Sequence, residues 1–232
     1  MNKNYLKNEI KKLPKAELHL HLGGSYPSSF LKEIANQAQQ KELISCLQKI
    51  QRKELGSYHE CFHAFSLISE IVNTDEKVRL GTIALCKDLI KQNISYVEIR
   101  SGLKNLGSGF EGYLKAILQG IKQSQQKNFS AKVLVSLRRD DSFERIEESV
   151  ALILKYKNKG VVGLDISGDS TKGDFRNLIP AVKKIKQAGF PVALHLGESL
   201  KEKKQLEQLK AFKPQRIGHG VLLSESAKKW IK

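Results

Sequence analysis

The amino-acid sequence predicts an α/β fold of the TIM type, a (β/α)8 barrel in which parallel strands alternate with helices. Three observations predict it. Short apolar runs alternate with longer stretches of helical periodicity. Several of those runs are apolar without alternation, as strands buried on both faces are. Polar residues also gather at the C-terminal ends of the runs, the end at which such barrels carry their sites.

The expected strands are residues 16–22, 96–100, 132–137, 161–166, 192–196 and 216–217. Helical patterns cover residues 77–92, 113–126, 143–156, 177–188 and 201–211. Gly189 followed by Pro191 stops one helix, and Gly160 stops another. Between Ser25 and Thr74 no strand pattern occurs. The region from about residue 25 to 75 therefore reads as a helical insertion between the first strand and its crossover helix. Within it Phe62, Phe65, Ile68 and Ile71 recur at helical spacing and are expected in the core. No repeat or linker divides the chain, so residues 1–232 are read as a single domain.

Composition narrows the class. A chain of 232 residues can bury a sizeable core, and 40% hydrophobic with 28% charged residues suits a soluble globular protein. No apolar run is long enough for a membrane span. The lysine-rich N-terminus lacks the apolar stretch of a secretory signal, so a cytoplasmic location is expected. Cys46, Cys61 and Cys86 are odd in number, far apart and outside any CxxC, and are expected as reduced, partly buried thiols. The net charge of +16 raises nucleic-acid binding as a reading. The lysines are nevertheless spread thinly, with no dense arginine block and no aromatic series, so a solvated basic surface is expected. Salt-dependent binding to generic DNA would be the signature of the nucleic-acid reading.

Chemistry concentrates at the strand ends. In Glu17-Leu18-His19-Leu20-His21 the two histidines stand two residues apart, on one side of a strand. Gly23 and Gly24 follow, where backbone can approach a ligand. In Ala193-Leu194-His195-Leu196-Gly197-Glu198 a third imidazole precedes a carboxylate. Three imidazoles suit zinc, and a carboxylate beside a metal-activated water can act as acid and base. Glu198 equally suits a cap for the next helix. Arg216-Ile217-Gly218-His219-Gly220 sets a histidine between glycines at a strand end, where packing gives it little reason to be.

These motifs, in this order, resemble the adenosine deaminase family of metal-dependent hydrolases. PKAELHLHLGGS, YVEIRS, GLDISGD, ALHLGES and RIGHG carry the resemblance, from Leu13 to about Leu223. Within the family the chain is most similar to the adenosine deaminase-like branch that converts N6-methyl-AMP to IMP. Hints of that branch are Glu60-Cys61-Phe62, the run from Gly120 to Ser124, the run from Gly163 to Asp169, and Leu194-His195-Leu196. The resemblance implies one zinc ion per chain, bound by His19, His21 and His195. It implies a 6-aminopurine nucleoside or nucleotide as substrate. Glu198 would protonate the purine at N1 while zinc-activated water attacks C6, and His219 would orient that water. His21, Gly23 and the Gly168 backbone would contact the substrate. Ser101, Gly102, Leu103 and Lys104 match a loop that holds the nucleotide phosphate.

The sequence also departs from the family. Gly23 stands where relatives have an aspartate or asparagine, Lys104 replaces an arginine, and Ser69 sits near an expected histidine. The family carries two consecutive aspartates on its eighth strand, but six strands are found here. Asp140-Asp141 comes too early, and no such pair follows His219. The expectation is an incomplete barrel of about six βα units, the last two missing, with open edges that invite association. Weak metal affinity and little or no deaminase activity of this chain alone are expected with it. The alternative reading is a truncated, non-catalytic remnant with vestigial zinc ligands.

Overall fold

The computed structural model describes residues 3–52 and 58–231. In chain order the elements are α1 (Lys3–Lys12), β1 (Lys15–His21), α2 (Leu22–Ser25), α3 (Ser28–Ile34), α4 (Gln37–Gln51), α5 (Tyr58–Ile71) and α6 (Asp75–Lys91). There follow β2 (Ile94–Ser101), α7 (Gly109–Gln123), β3 (Ser130–Arg138), α8 (Phe143–Lys155) and β4 (Val161–Ser167). A 3-10 turn at Phe175–Leu178 leads into α9 (Ile179–Gln187), then β5 (Val192–Leu196), α10 (Gln205–Phe212), β6 (Arg216–His219) and α11 (Glu225–Ile231). The six strands form one sheet in the order β1-β2-β3-β4-β5-β6. Sequential strands with a helix after each are the βα rhythm that the sequence predicts, and six such units are present.

The chain gathers into two compact units. One comprises Met1–Val97 and Asn105–Ala131. Here α6 begins at Thr74, whose hydroxyl accepts the Lys77 N–H at 3.2 Å. Asp75 and Glu76 in its first turn and Lys91 in its last complement the helix dipole. Helix α7 packs closely on α6 because Gly120 has no side chain: a Cβ there would lie 2.7 Å from the Arg79 carbonyl oxygen.

The helical insertion is α2 to α5, starting at Leu22. Its buried line differs from the expected one. Leu67 and Ile71 are buried on α5, whereas Phe65 is 44% exposed. Phe65 and Ile71 are six residues apart, about 120° around a helix, so one face cannot bury both. The Phe65 ring instead lies against Gly24. The Cys61 and Phe62 side chains are outside the described residues. Helix α1 had no counterpart in the expected elements; its apolar Leu6 and Ile10 are both about half exposed.

The other unit comprises Glu98–Lys104 and Lys132–Lys232. Strands β3 to β6 pair in parallel. Val133, Val135, Leu137, Leu164, Ile166, Val192, Leu194 and Leu196 are all essentially inaccessible to water. Each such side chain contributes roughly 1.5–3 kcal/mol by leaving water. Gly189 takes φ +81° after α9, as the predicted stop requires. Two expected boundaries shift. Pro180 in the first turn of α9 starts that helix later than residue 177, with the 3-10 turn ahead of it. Helix α10 starts at Gln205 rather than 201, because Glu202 turns back to bond the chain behind it and Lys204 adopts φ +55°.

Among the described residues no helix is long and apolar enough to cross a membrane. Cys46 is half-buried and Cys86 buried, and both are free thiols. Burial pushes the Cys86 thiol up to about 11, against a smaller opposing effect of a hydrogen bond with Ser124.

Candidate active site

Strand β1 carries His19 and His21 with their rings facing one side, 5.3 Å between centroids. The Glu17 carboxylate accepts the His19 backbone N–H at 2.8 Å.

His195 on β5 is almost fully buried. Its Nδ1 lies 3.1 Å from the Ile166 carbonyl oxygen and 3.2 Å from Asp165 Oδ1. Both neighbours can only accept, so Nδ1 carries a proton. Asp165 is itself fixed. Arg100 Nη1 donates to its Oδ1 at 2.8 Å, and the Ser136 hydroxyl donates to its Oδ2 at 2.8 Å. Arg100, Ser136, Asp165 and His195 come from β2, β3, β4 and β5, and all four are buried. Burial pushes the Asp165 carboxyl up, but the hydrogen bond and charge of His195, with Arg100 and Ser136, outweigh it and bring it to about 2.

His19 and His21 in one unit and His195 in the other each offer one ring nitrogen that could ligate a metal ion. Three imidazoles, one oriented by a carboxylate, are a donor set that zinc accepts.

Beyond His195 the chain turns at Gly197, with φ +71°, into Glu198. At the end of β6 His219 adopts φ +64°, a left-handed conformation uncommon outside glycine. Its Nε2 is 3.6 Å from Glu198 Oε1, and its ring centroid is 5.1 Å from that of His195. The register pairs Leu196 with His219, which sets both groups at the same level of adjacent strands. Backbone that is strained in this way is a feature of functional sites.

Gly168 follows β4 with φ +84°, and a Cβ there would approach Arg138 Cγ to 2.9 Å. A larger residue here is strained by the positive φ and must push the Arg138 side chain aside. Gly23 differs: nothing lies within 4 Å of the place a Cβ would take. Gly24 is the crowded member of the pair, with the Phe65 ring against it.

The segment Ser101, Gly102, Leu103 and Lys104 leaves the end of β2. Leu103 is buried, and Arg145 Nη2 donates to its carbonyl oxygen. Lys104 is half-buried. Burial first, then the Arg145 charge, lowers its ammonium below the usual lysine range. The segment therefore brings two cations near each other. Ser69 bonds the Phe65 carbonyl oxygen of its own helix at 2.9 Å.

Several participants carry no mark in the sequence pattern: Ser136, Arg139, Arg145 and Glu202. Arg100 and Asp165 were legible in one respect, as charges inside otherwise apolar strands.

Parallel strands alternate with helices, and histidines and a carboxylate stand at strand ends. The family model for adenosine deaminase matches residues 14–228, and the chain belongs to that family. An N6-methyl-AMP deaminase-L of Xenopus laevis is 31% identical over 222 residues, which is 93% of this chain and 64% of that protein. The N6-methyl-AMP deaminase of Homo sapiens is 32% identical over 91% of this chain and 62% of its own. The crystal structure of Arabidopsis ADAL complexed with IMP superposes with a TM-score of 0.86 at 29% identity, over 97% of this chain and 70% of that one. The chain thus spans under two thirds of the length of these curated relatives.

Proposed function

We propose that this site performs zinc-dependent hydrolytic deamination of a 6-aminopurine nucleotide, with N6-methyl-AMP or AMP as the substrate class. One observation carries the reading. The Glu198 carboxylate and the His219 imidazole are paired at 3.6 Å beyond the ends of β5 and β6, beside a His195 ring held 3.2 Å from Asp165, and His19 and His21 offer two further imidazole nitrogens.

His19, His21 and His195 hold the metal, and Asp165 orients His195. The bound zinc supplies Lewis acidity and makes water acidic enough to ionise near neutral pH. His219 holds the attacking oxygen over the purine C6. Glu198 takes the proton that the water sheds and delivers it to N1, so that the ring accepts the new C–O bond without building charge. Glu198 then carries the proton of the added oxygen to the 6-amino group, which leaves as ammonia or methylamine. The Gly168 backbone contacts the purine edge, and His21 and Gly23 lie on the ribose side. Ser101, Gly102, Leu103 and Lys104 receive the phosphate, with Lys104 supplying charge rather than the bidentate fork of an arginine.

The competing reading is a set of histidines that binds metal without turnover. One experiment separates the two. The purified chain is loaded with zinc, and conversion of adenosine, AMP and N6-methyl-AMP is followed by chromatography. The leading reading expects zinc-dependent formation of IMP that is lost in Glu198→Gln. Zinc bound at the histidines without any turnover selects the competing reading. Absence of zinc from the histidines overturns the leading one.

A further inference from the structure

The turn from Gly197 to Lys204 joins β5 to α10 and carries Glu198. Beneath it lie three polar side chains that the chemistry above does not use. Arg139, Glu202 and Gln208 are 3%, 7% and 2% exposed. Arg139 Nη2 donates to the His195 carbonyl oxygen at 2.8 Å, and its Nε donates to Gln208 Oε1 at 3.0 Å. The same Nη2 is 3.5 Å from Glu202 Oε1. Glu202 Oε2 accepts the Gly197 N–H at 2.7 Å and the Glu198 N–H at 3.4 Å. Gln208 Nε2 donates to the Lys203 carbonyl oxygen at 3.2 Å, which closes the group onto the turn. Arg139 is in turn located by Gly173, because any side chain at 173 would collide with the Arg139 backbone.

One buried charge therefore grips the carbonyl of His195, and its counter-charge grips the amides of Gly197 and Glu198. A neutral side chain would satisfy two turn amides at less desolvation cost than a carboxylate. An ion pair at this place does something further: it ties the two ends of the turn to each other. Gly197 sits between them at φ +71°, in a conformation that glycine enters and leaves freely. The direction of Glu198 depends on that residue being held.

We propose that Arg139 and Glu202 are positioning residues for deamination, forming a buried brace that holds Glu198 at a fixed distance and angle from His195. This rests on the deaminase reading above. The brace acts through the turn and touches neither substrate nor metal.

The test compares the full 232-residue chain with Glu202→Ala, Glu202→Gln and Arg139→Lys. Cobalt(II) loaded in place of zinc reports ligand geometry by its visible spectrum. The zinc forms give kcat and KM with N6-methyl-AMP, and amide hydrogen exchange is read on the peptide that spans residues 197–204. The brace predicts a wild-type cobalt spectrum in all three variants, since β5 and Asp165 still hold His195. In Glu202→Ala, kcat falls roughly 100-fold at nearly constant KM, the scale of a 1 Å misplacement. Glu202→Gln keeps an acceptor for Gly197 but loses the charge facing Arg139, so its kcat falls between those of wild type and Glu202→Ala. Arg139→Lys, which loses the fork, falls between them. Exchange at 197–204 accelerates in Glu202→Ala and Arg139→Lys while β5 is unchanged.

A merely structural role predicts lower melting temperatures with kcat per bound zinc unchanged, and that result overturns the proposal. Unchanged exchange at 197–204 also overturns it. Should Glu202→Ala fail to fold, Arg139→Lys decides: a kcat equal to wild type refutes the brace. An inactive wild type overturns the deaminase reading and the brace together, whereas an active wild type with unaffected variants overturns the brace alone.

Discussion

Replacing Asp165 by asparagine keeps the shape of the side chain and removes its charge. In the native protein Oδ1 receives Arg100 Nη1 at 2.8 Å and lies 3.2 Å from His195 Nδ1, while Oδ2 receives Ser136 at 2.8 Å. Asparagine can still accept from Arg100 and His195 through its oxygen and donate to the Ser136 hydroxyl. Hydrogen-bond geometry is thus nearly conserved, and what is lost is the carboxylate facing a fully buried guanidinium. Breaking a buried pair in this way costs about 3–5 kcal/mol. For a chain of this size that is a fall in Tm of roughly 6–20 °C. His195 also loses the carboxylate that orients its ring, so zinc affinity falls about 10- to 100-fold. Calorimetry in the presence of a chelator reads the first effect, and competition with a chromophoric chelator reads the second. An Asp165→Asn protein with unchanged Tm and unchanged zinc Kd would refute the orienting role of Asp165.

Glu198→Gln should bind zinc as the wild type does while kcat drops about 10²–10⁴-fold, the contribution of a positioned acid–base group. Equal turnover would remove Glu198 from the chemistry. Lys104→Ala should raise KM for a nucleoside monophosphate about tenfold or more and leave that for the nucleoside unchanged, since a charge-assisted bond to phosphate is lost. Steady-state kinetics on both substrates check this, and equal effects on the two would exclude a phosphate role. Gly168→Ala should destabilise by about 1–2 kcal/mol, from its positive φ and the nearby Arg138 side chain, and urea unfolding measures it. Cys86, buried and with its thiol pushed up to about 11, should resist iodoacetamide at pH 8 in the folded protein while half-buried Cys46 reacts, as peptide mass spectrometry would show.

The sequence makes the six strands legible because burial on both faces writes continuous apolar runs, as in Val192–Leu196. It is less informative where tertiary bonds override local pattern. Residues 201–204 have helical character, yet the Glu202 carboxylate is drawn back to the Gly197 amide, and the helix waits until Gln205. Phe65 fits a helical stripe but packs on Gly24, a contact that spacing alone does not encode. At the site, His19, His21, His195 and His219 stand out because histidine at a strand end lacks a packing rationale. The groups that orient them do not stand out. Arg139 and Glu202 are 63 positions apart in the chain, and only the fold brings them to 3.5 Å.

Zinc bound by His19, His21 and His195 is the central claim, and X-ray absorption at the zinc edge tests it most directly. The account predicts one zinc per chain, surrounded by nitrogen and oxygen at about 2.0–2.1 Å with no sulfur, and a stoichiometry that collapses in His21→Ala and His195→Ala. Zinc that persists at one per chain in those variants, or that shows sulfur at about 2.3 Å, would contradict it.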